Sequence, residues 1–441
     1  MKILLIMPRG ALYRYQTGIF RRPIRYAPLT LTALASLVPA ENEAEVQIID
    51  EGIESLPENL DADLVGITAI TGTVMRAYAI ADNVRSRGIP VVLGGVHPTL
   101  VPEEAMLHAD SVVTGFAEES WPQLLRDFRN NKMKELYVQS PNLSLANLPI
   151  PRRDLLKRKG YVTIDTVQAT RGCINLCDFC IVPVAWGQRM YFRPIKDVIE
   201  EIEQIKSKDI FFVDVSPIED KNYAKELYRA MIPLKKRWVS PATIKIAEDE
   251  ELLRVAAKSG CRGLLIGFES VSQQTLKKMG KGFNFVDKYK TQVQKLHDYG
   301  IAIQACFVFG FDTDDQTVFE KTVEVVNKLN LDLPRFTAYT PFPGTPIFNK
   351  LKSENRIIEY NWSFYDAQHV VFKPALMTPE ELQEGLFWAW EQSYTFSSIF
   401  KRVSGSRCLL PYSIPANIAY RYYAQNLPKY TKETMQDNLL S

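Results

Sequence analysis

The sequence predicts an α/β protein: a doubly wound, Rossmann-like parallel sheet, then a partial (β/α)6 barrel, then a small, mainly helical C-terminal part. Three observations predict it. Over residues 1–130, short apolar runs alternate with segments of helical period, the pattern of a parallel sheet covered on both faces. The alternation resumes at residue 161 and runs through six strands to about residue 350, short of the eight that close a full barrel. The intervening residues 131–160 are polar, carry Pro141, Pro149 and Pro151, and read as a linker. The expected parts are therefore 1–130, 131–160, 161–350 and 351–441.

In order, residues 3–7 form a strand, followed by a long loop with Arg9, Tyr13, Arg14, Arg21 and Arg22. Residues 29–37 read as a helix, 45–50 and 63–68 as strands, 75–87 as a helix, 89–95 as a strand and 111–114 as a short fifth. Ligands of such sheets sit beyond the carboxyl ends of the strands, here 8–10, 68–72 and 94–99. In the second series the strands fall at 161–170, 209–215, 238–246, 263–269, 302–309 and 335–340. Helices fall at 195–206, 221–232, 249–259, 285–299 and 316–329. A further helical stretch spans 379–398, with a basic patch at Lys401 and Arg402.

Composition narrows the function. With 46% hydrophobic and 24% charged residues the chain is that of a folded globular protein. Its net charge of +2 gives no bulk attraction to nucleic acid, and no nucleic-acid partner is expected. No window approaches eighteen uninterrupted apolar residues, and the N-terminal apolar run lacks a cleavage site. Three of the six cysteines crowd into eight positions, which suggests ligation in a reducing compartment and a cytoplasmic location.

Those three lie in Thr170-Arg171-Gly172-Cys173-Ile174-Asn175-Leu176-Cys177-Asp178-Phe179-Cys180. Soft thiolates at short spacings in one loop suit an iron–sulfur cluster. Three ligands on a four-iron cube leave one iron open for a small molecule. A structural zinc would want a fourth Cys or His nearby, and the sequence offers none. The remaining Cys261, Cys306 and Cys408 stand among apolar neighbours and read as buried, inert thiols.

The C-x3-C-x-aromatic-C loop, after the strand that opens a six-unit series, resembles the radical S-adenosylmethionine (SAM) superfamily. The resemblance implies that Cys173, Cys177 and Cys180 hold a [4Fe–4S] cluster. Its open iron would chelate the methionyl amino and carboxylate groups of SAM, which an electron from an external donor such as flavodoxin or ferredoxin then cleaves to a 5′-deoxyadenosyl radical. It places Phe179 near the adenine and Glu269, in Gly267-Phe268-Glu269-Ser270, at the ribose or methionyl group. Asp214 falls where family members hold the methionyl amine, although the usual glycine-rich form is missing. Gly310 matches the fifth-strand glycine that lets backbone approach the adenine, and residues 339–345 match the sixth strand and its turn. Each also has a plain reading: Gly310 as a turn residue, Asp214 and Glu269 as helix caps.

The front series resembles the cobalamin (B12)-binding domain found ahead of many radical SAM cores. The stretches that carry this are residues 62–68 (ADLVGIT), ending at Thr68, residues 92–99 (VLGGVHPT), with Gly94 and Gly95, and residues 112–115 followed by Glu118 and Glu119. Small residues at these strand ends would admit the nucleotide tail of a corrin. One departure matters. The Asp-x-His-x-x-Gly that supplies a cobalt-ligating histidine is absent, and residues 7–13 read MPRGALY. A cobalamin here would take no histidine from this loop; the departure equally suits a domain that kept the fold and lost the cofactor. His97, beside Pro98 and two glycines, shapes its loop rather than ligating.

These resemblances imply a cobalamin-dependent radical methyltransferase acting on an unactivated carbon. The alternatives are a radical SAM oxidative cyclase or carbon–carbon coupling enzyme without methyl transfer, and, in another class, a non-catalytic cobalamin or iron–sulfur sensor. The aromatic C-terminal part, with Trp362, Phe364, Tyr365, Trp388, Trp390, Tyr394, Phe396 and Phe400, reads either as a cap over an apolar or polycyclic substrate or as ordinary packing of a helical domain. The end at Phe400-Lys401-Arg402 reads either as a membrane contact or as a solvated basic helix terminus.

Overall fold

The structure, a computed structural model, describes residues 1–10 and 26–439, the side chains of 42 and 433–439 excepted. Tyr13, Arg14, Arg21 and Arg22 of the expected loop lie outside the described residues. The chain divides into two compact units. One comprises Met1–Thr166, Ile181–Asp197 and Asn361–Asp366, the other Val167–Cys180, Val198–Tyr360 and Ala367–Ser441.

The first unit is built on six strands: Lys2–Met7 (β1), Glu45–Asp50 (β2), Leu64–Thr68 (β3), Val91–Gly94 (β4), Ser111–Thr114 (β5) and Leu136–Val138 (β6). They pair in parallel in the order β2-β1-β3-β4-β5-β6. β1 is an interior strand and apolar from Ile3 to Met7, because both its faces are covered. Leu4 and Ile6 pack with Val65 and Ile67 on one side, Ile3 and Leu5 with Leu64 and Trp121 on the other. The order reverses between β1 and β3, and at such a switch point the flanking loops diverge and leave a crevice. The stretch expected as a linker contains β6, and buries Leu143 and Leu145 with Tyr191.

The remaining strands are Thr166–Val167 (β7), divided between the units at Thr166, then Thr170–Gly172 (β8), Asp209–Phe212 (β10), Arg237–Ala242 (β11), Cys261–Glu269 (β12), Ala302–Phe309 (β13) and Leu333–Ala338 (β14) of the second unit, and Met190–Phe192 (β9) of the first. Six of them form a sheet in the order β14-β13-β12-β11-β10-β7, leaving β14 and β7 as edges. The expected strand over 161–170 is thus broken into β7 and the start of β8. Side chains alternate along the strands. Phe212, Trp238, Phe268, Phe307 and Phe336 are buried on one face, while Phe211, Val239, Leu265, Cys306 and Arg335 stand half-buried on the other.

An open edge is a liability unless its backbone is paired or covered, and the C-terminal helices supply the cover. Tyr394 donates its hydroxyl to the Pro334 carbonyl at 2.7 Å, and Trp390 its indole N–H to the Phe336 carbonyl at 3.0 Å. Asn417 reaches the Asp332 carbonyl at 3.1 Å. These two aromatics therefore serve packing. Trp388, Phe396 and Phe400 stay exposed, while Trp362 donates to Glu104 within the first unit at 3.0 Å.

Two further expectations change here. The helix expected over 379–398 is two helices, Pro379–Ser393 and Phe396–Ser406, the second capped by the Thr395 hydroxyl on the Ser398 N–H. Arg402 belongs to no surface patch. It is 0% exposed and donates to the Ser393 carbonyl and to Asn417 Oδ1 at 2.9 Å, so Lys401 stands without it.

Candidate cluster and cofactor sites

The cysteine loop leaves β8 at Gly172, whose φ of +80° turns the chain out of the strand. Cys173 is buried, and Cys177 and Cys180 are half-buried. The Asn175 backbone N–H and side-chain amide each lie 3.4 Å from Cys173 Sγ, as donors to a thiolate would. Burial pushes the Cys177 thiol up to about 12, against the pull of the Lys281 ammonium. Among the described residues no three His, Cys, Asp or Glu side chains are grouped for a single metal ion. Three soft sulfur donors in one loop fit an iron–sulfur cluster better than a mononuclear centre.

A second segment clamps this loop. The Asp178 N–H donates to the Met279 carbonyl at 3.1 Å. Gly280 has φ +80°, and a β-carbon there would meet the Leu176 carbonyl oxygen at 2.5 Å. Next to it Lys281 is buried and pairs with Glu269 at 2.5 Å. Burial works against its charge, but Glu269 and Cys177 hold the Lys281 ammonium above its ordinary value. The approach depends on local backbone. β12 slips register against β13 between Gly267 and Glu269, and Glu269 adopts φ +62°. A bulge of this kind re-aims a side chain. A β-carbon on Gly267 would collide with Glu269 Oε1, so the glycine makes room for the pair.

The other expected site residues divide. Phe179 sits edge-on to Tyr339, centroids 5.9 Å apart, and Tyr339 packs on Phe311 at 4.4 Å; the third cysteine's neighbour thus joins the ends of β13 and β14. Asp214 is buried, and its carboxylate accepts from the Ala169 N–H at 3.1 Å, the Thr170 hydroxyl at 2.7 Å and the Thr170 N–H. It caps no helix; it pins the chain that enters the cysteine loop, and burial pushes its carboxyl up to about 6. Gly310 has φ +104°, and a β-carbon there would meet Leu382 at 2.7 Å and Phe372 at 3.0 Å. Its lack of a side chain is thus required by backbone and by apolar packing.

The turn at Gly310 is held by Asp314, which accepts from the Gly310 and Phe311 N–H groups at 3.1 Å each. Burial pushes the Asp314 carboxyl up to about 7. Because the folded value lies above the ordinary 3.8, the folded state binds the proton more tightly than the unfolded chain. The stability this contributes is complete below about pH 4 and lost as pH rises through about 7. In Asp314→Asn that part of the pH dependence should vanish, since the amide oxygen still accepts both N–H groups; melting curves from pH 4 to 8 check it.

In the first unit Thr68 ends β3 in register with Gly94 of β4. Gly95, at φ +103°, would put a β-carbon 2.7 Å from both the Ala69 carbonyl oxygen and Thr68 Oγ1, so it lets the two strand ends close up. A β-carbon on Gly94 would make only ordinary contacts. His97 is fully buried, with Nδ1 3.2 Å from Thr71 Oγ1 and its ring edge-on to Trp362; it is an interior residue. Just beyond β3, Ile70 is 53% and Met75 41% exposed. An apolar shelf at the carboxyl edge beside the switch point fits the broad, flat body of a corrin.

Sequence reading missed Lys281 and the reasons for Gly267 and Gly280. A signal existed: Met279-Gly280-Lys281-Gly282 sets a cation between two glycines after a helix, chemistry that suits a tight turn facing an anion.

The fold and the two sites define a radical SAM enzyme with a cobalamin-binding domain. Residues 167–324 match the family model of the radical SAM superfamily and residues 26–125 that of the B12 binding domain. The chain is similar to bacteriochlorophyllide d C-12(1)-methyltransferase of Chlorobaculum tepidum, 33% identical over 86% of this chain and 85% of that one. To bacteriochlorophyllide d C-8(2)-methyltransferase of the same organism it is 30% identical over 85% and 87%. In fold it resembles the radical SAM methyltransferase TsrM of Kitasatospora setae, solved with cobalamin and a [4Fe–4S] cluster bound, with a TM-score of 0.67 at 17% identity, covering 88% of each chain. The chain belongs to the radical SAM superfamily, in its cobalamin-dependent methyltransferase branch, and its cofactors are a [4Fe–4S] cluster, SAM and cobalamin. It acts on a small molecule and needs a reductant. Among the described residues no helix is long and apolar enough to cross a membrane.

Proposed function

We propose that the enzyme transfers the methyl group of SAM to an unactivated carbon at the rim of a flat, apolar macrocycle of the tetrapyrrole kind. The observation that carries this is its near full-length similarity to two enzymes named for methylating bacteriochlorophyllide d. The half-buried face of the second sheet is in keeping with such a substrate. Phe211, Val239, Pro241 and Leu265 make it apolar, and Arg335 adds positive charge.

When bound, the cluster supplies the electron that cleaves SAM and the cobalamin carries the methyl group. The chain's own residues bind and orient. Cys173, Cys177 and Cys180 hold the cluster; Phe179, Glu269 and Gly310 shape the SAM site; Asp214 fixes the strand that leads into it. Thr68, Gly94 and Gly95 form the strand ends that receive cobalamin. A flavodoxin or ferredoxin delivers the electron, and the cytoplasm is the compartment.

The test is turnover of a tetrapyrrole substrate with SAM labelled at its methyl group. Label in the product, with S-adenosylhomocysteine formed alongside deoxyadenosine, is the expected result. Deoxyadenosine alone, with an unlabelled and oxidised or cyclised product, overturns methyl transfer in favour of oxidative cyclisation.

A further inference from the structure

Between Glu391 and Glu433 the sequence carries Lys401, Arg402, Arg407, Arg421, Lys429 and Lys432 and no Asp or Glu. In the rest of the chain acidic residues outnumber basic ones, 51 against 47. This stretch forms the helix Phe396–Ser406 and most of the helix Leu410–Leu439 in the second unit; the second helix meets its first acidic residues only near its end, at Glu433 and Asp437. On the first, Ile399, Arg402 and Ser406 turn inward and are buried, while Phe396 and Phe400, one turn apart, are 65% and 76% exposed. On the second, Ile414 and Ile418 are 48% and 39% exposed, and Arg421 follows at the next helical step. The Arg421 guanidinium lies 4.2 Å from the Phe396 ring centroid, which joins the two stripes into one face. Lys401 and Arg407 are exposed beside it.

A solvated helix face carries polar residues; a face that pairs protruding phenyl rings with cations alone is built for a surface that is apolar beneath and anionic on top. We propose that the Phe396–Phe400–Ile414–Ile418 face binds the surface of a lipid bilayer rich in anionic headgroups, lying on it without crossing. The phenyl rings enter the boundary between headgroups and acyl chains, and the exposed Lys401 and Arg407 pair with headgroup phosphates, while Arg421, which donates to the Tyr394 carbonyl at 2.8 Å, holds the two stripes together. Arg402 takes no part, because its guanidinium is buried inside the unit and donates to Ser393 and Asn417 there.

The test is cosedimentation of the full-length protein, purified without oxygen, with phosphatidylcholine vesicles and with vesicles that also contain phosphatidylglycerol. The expected partition onto the anionic vesicles is at least about tenfold stronger than onto the neutral ones and falls with salt. Phe396→Ser with Phe400→Ser should cut it at least about tenfold, and Lys401→Gln with Arg407→Gln should weaken it on anionic vesicles only. An unchanged melting curve certifies the variants as folded. The proposal is overturned if the protein stays in the supernatant, or if the phenylalanine variant pellets as well as wild type. It is equally overturned if sedimentation equilibrium shows a dimer that this variant dissolves, which makes a second copy the occupant. Loss of flavodoxin binding in the variants without any vesicle binding assigns the face to an acidic protein instead.

Discussion

Replacing Cys173, Cys177 and Cys180 together by alanine is expected to leave a folded chain that holds no iron and forms no deoxyadenosine from SAM, a loss of at least about a thousandfold. The expectation of folding rests on where the thiols sit. Cys177 and Cys180 are only half-buried, and among the described residues the hydrogen bonds to the buried Cys173 thiol come from its neighbour Asn175, so alanine removes the ligands and leaves at most a one-atom void at Cys173. Cobalamin binding should survive, because Thr68, Gly94 and Gly95 belong to a separate compact unit with its own apolar cores. Iron, sulfide and cobalt analysis of wild type and variant, with a deoxyadenosine assay, checks all three statements. Iron retained by the variant would remove these cysteines from the site.

Glu269→Ala is the next largest expected effect. It strands the Lys281 ammonium in a site where both side chains are about nine-tenths buried. Removing one partner of such a pair costs about 3–5 kcal/mol, whereas replacing both by apolar groups of similar volume is often neutral. Glu269→Ala should therefore unfold at clearly lower urea than wild type, and Glu269→Leu with Lys281→Met should recover most of the loss. SAM binding separates structure from function. If Glu269 contacts SAM, the doubly apolar variant regains stability while its SAM affinity stays at least about tenfold down. Recovery of both together assigns the pair a purely structural role.

Much of this was legible before any coordinates. The alternation of strand and helix foretold both sheets, since parallel strands buried on two faces read as continuous apolar runs such as residues 3–7. The cysteine spacing marked the loop by its chemistry alone. What escaped did so for physical reasons. β6 is three residues long in a polar stretch, too short to show a period. The helix Leu410–Leu439 contains Pro415 and Pro428, which normally end or kink helices and so hid it. Lys281 meets Glu269 only through a bulge and a turn, and neither leaves a periodic trace. Arg402 looked like part of a surface charge because burial of an arginine depends on partners, here Ser393 and Asn417, that only the fold brings to it.

The measurement that bears most directly on the account is the electron paramagnetic resonance spectrum of the reduced, reconstituted protein with and without SAM. A cube held by three thiolates has a free iron corner, so adding SAM should shift the cluster signal. A signal indifferent to SAM, or protein that takes up zinc and no iron, would contradict it.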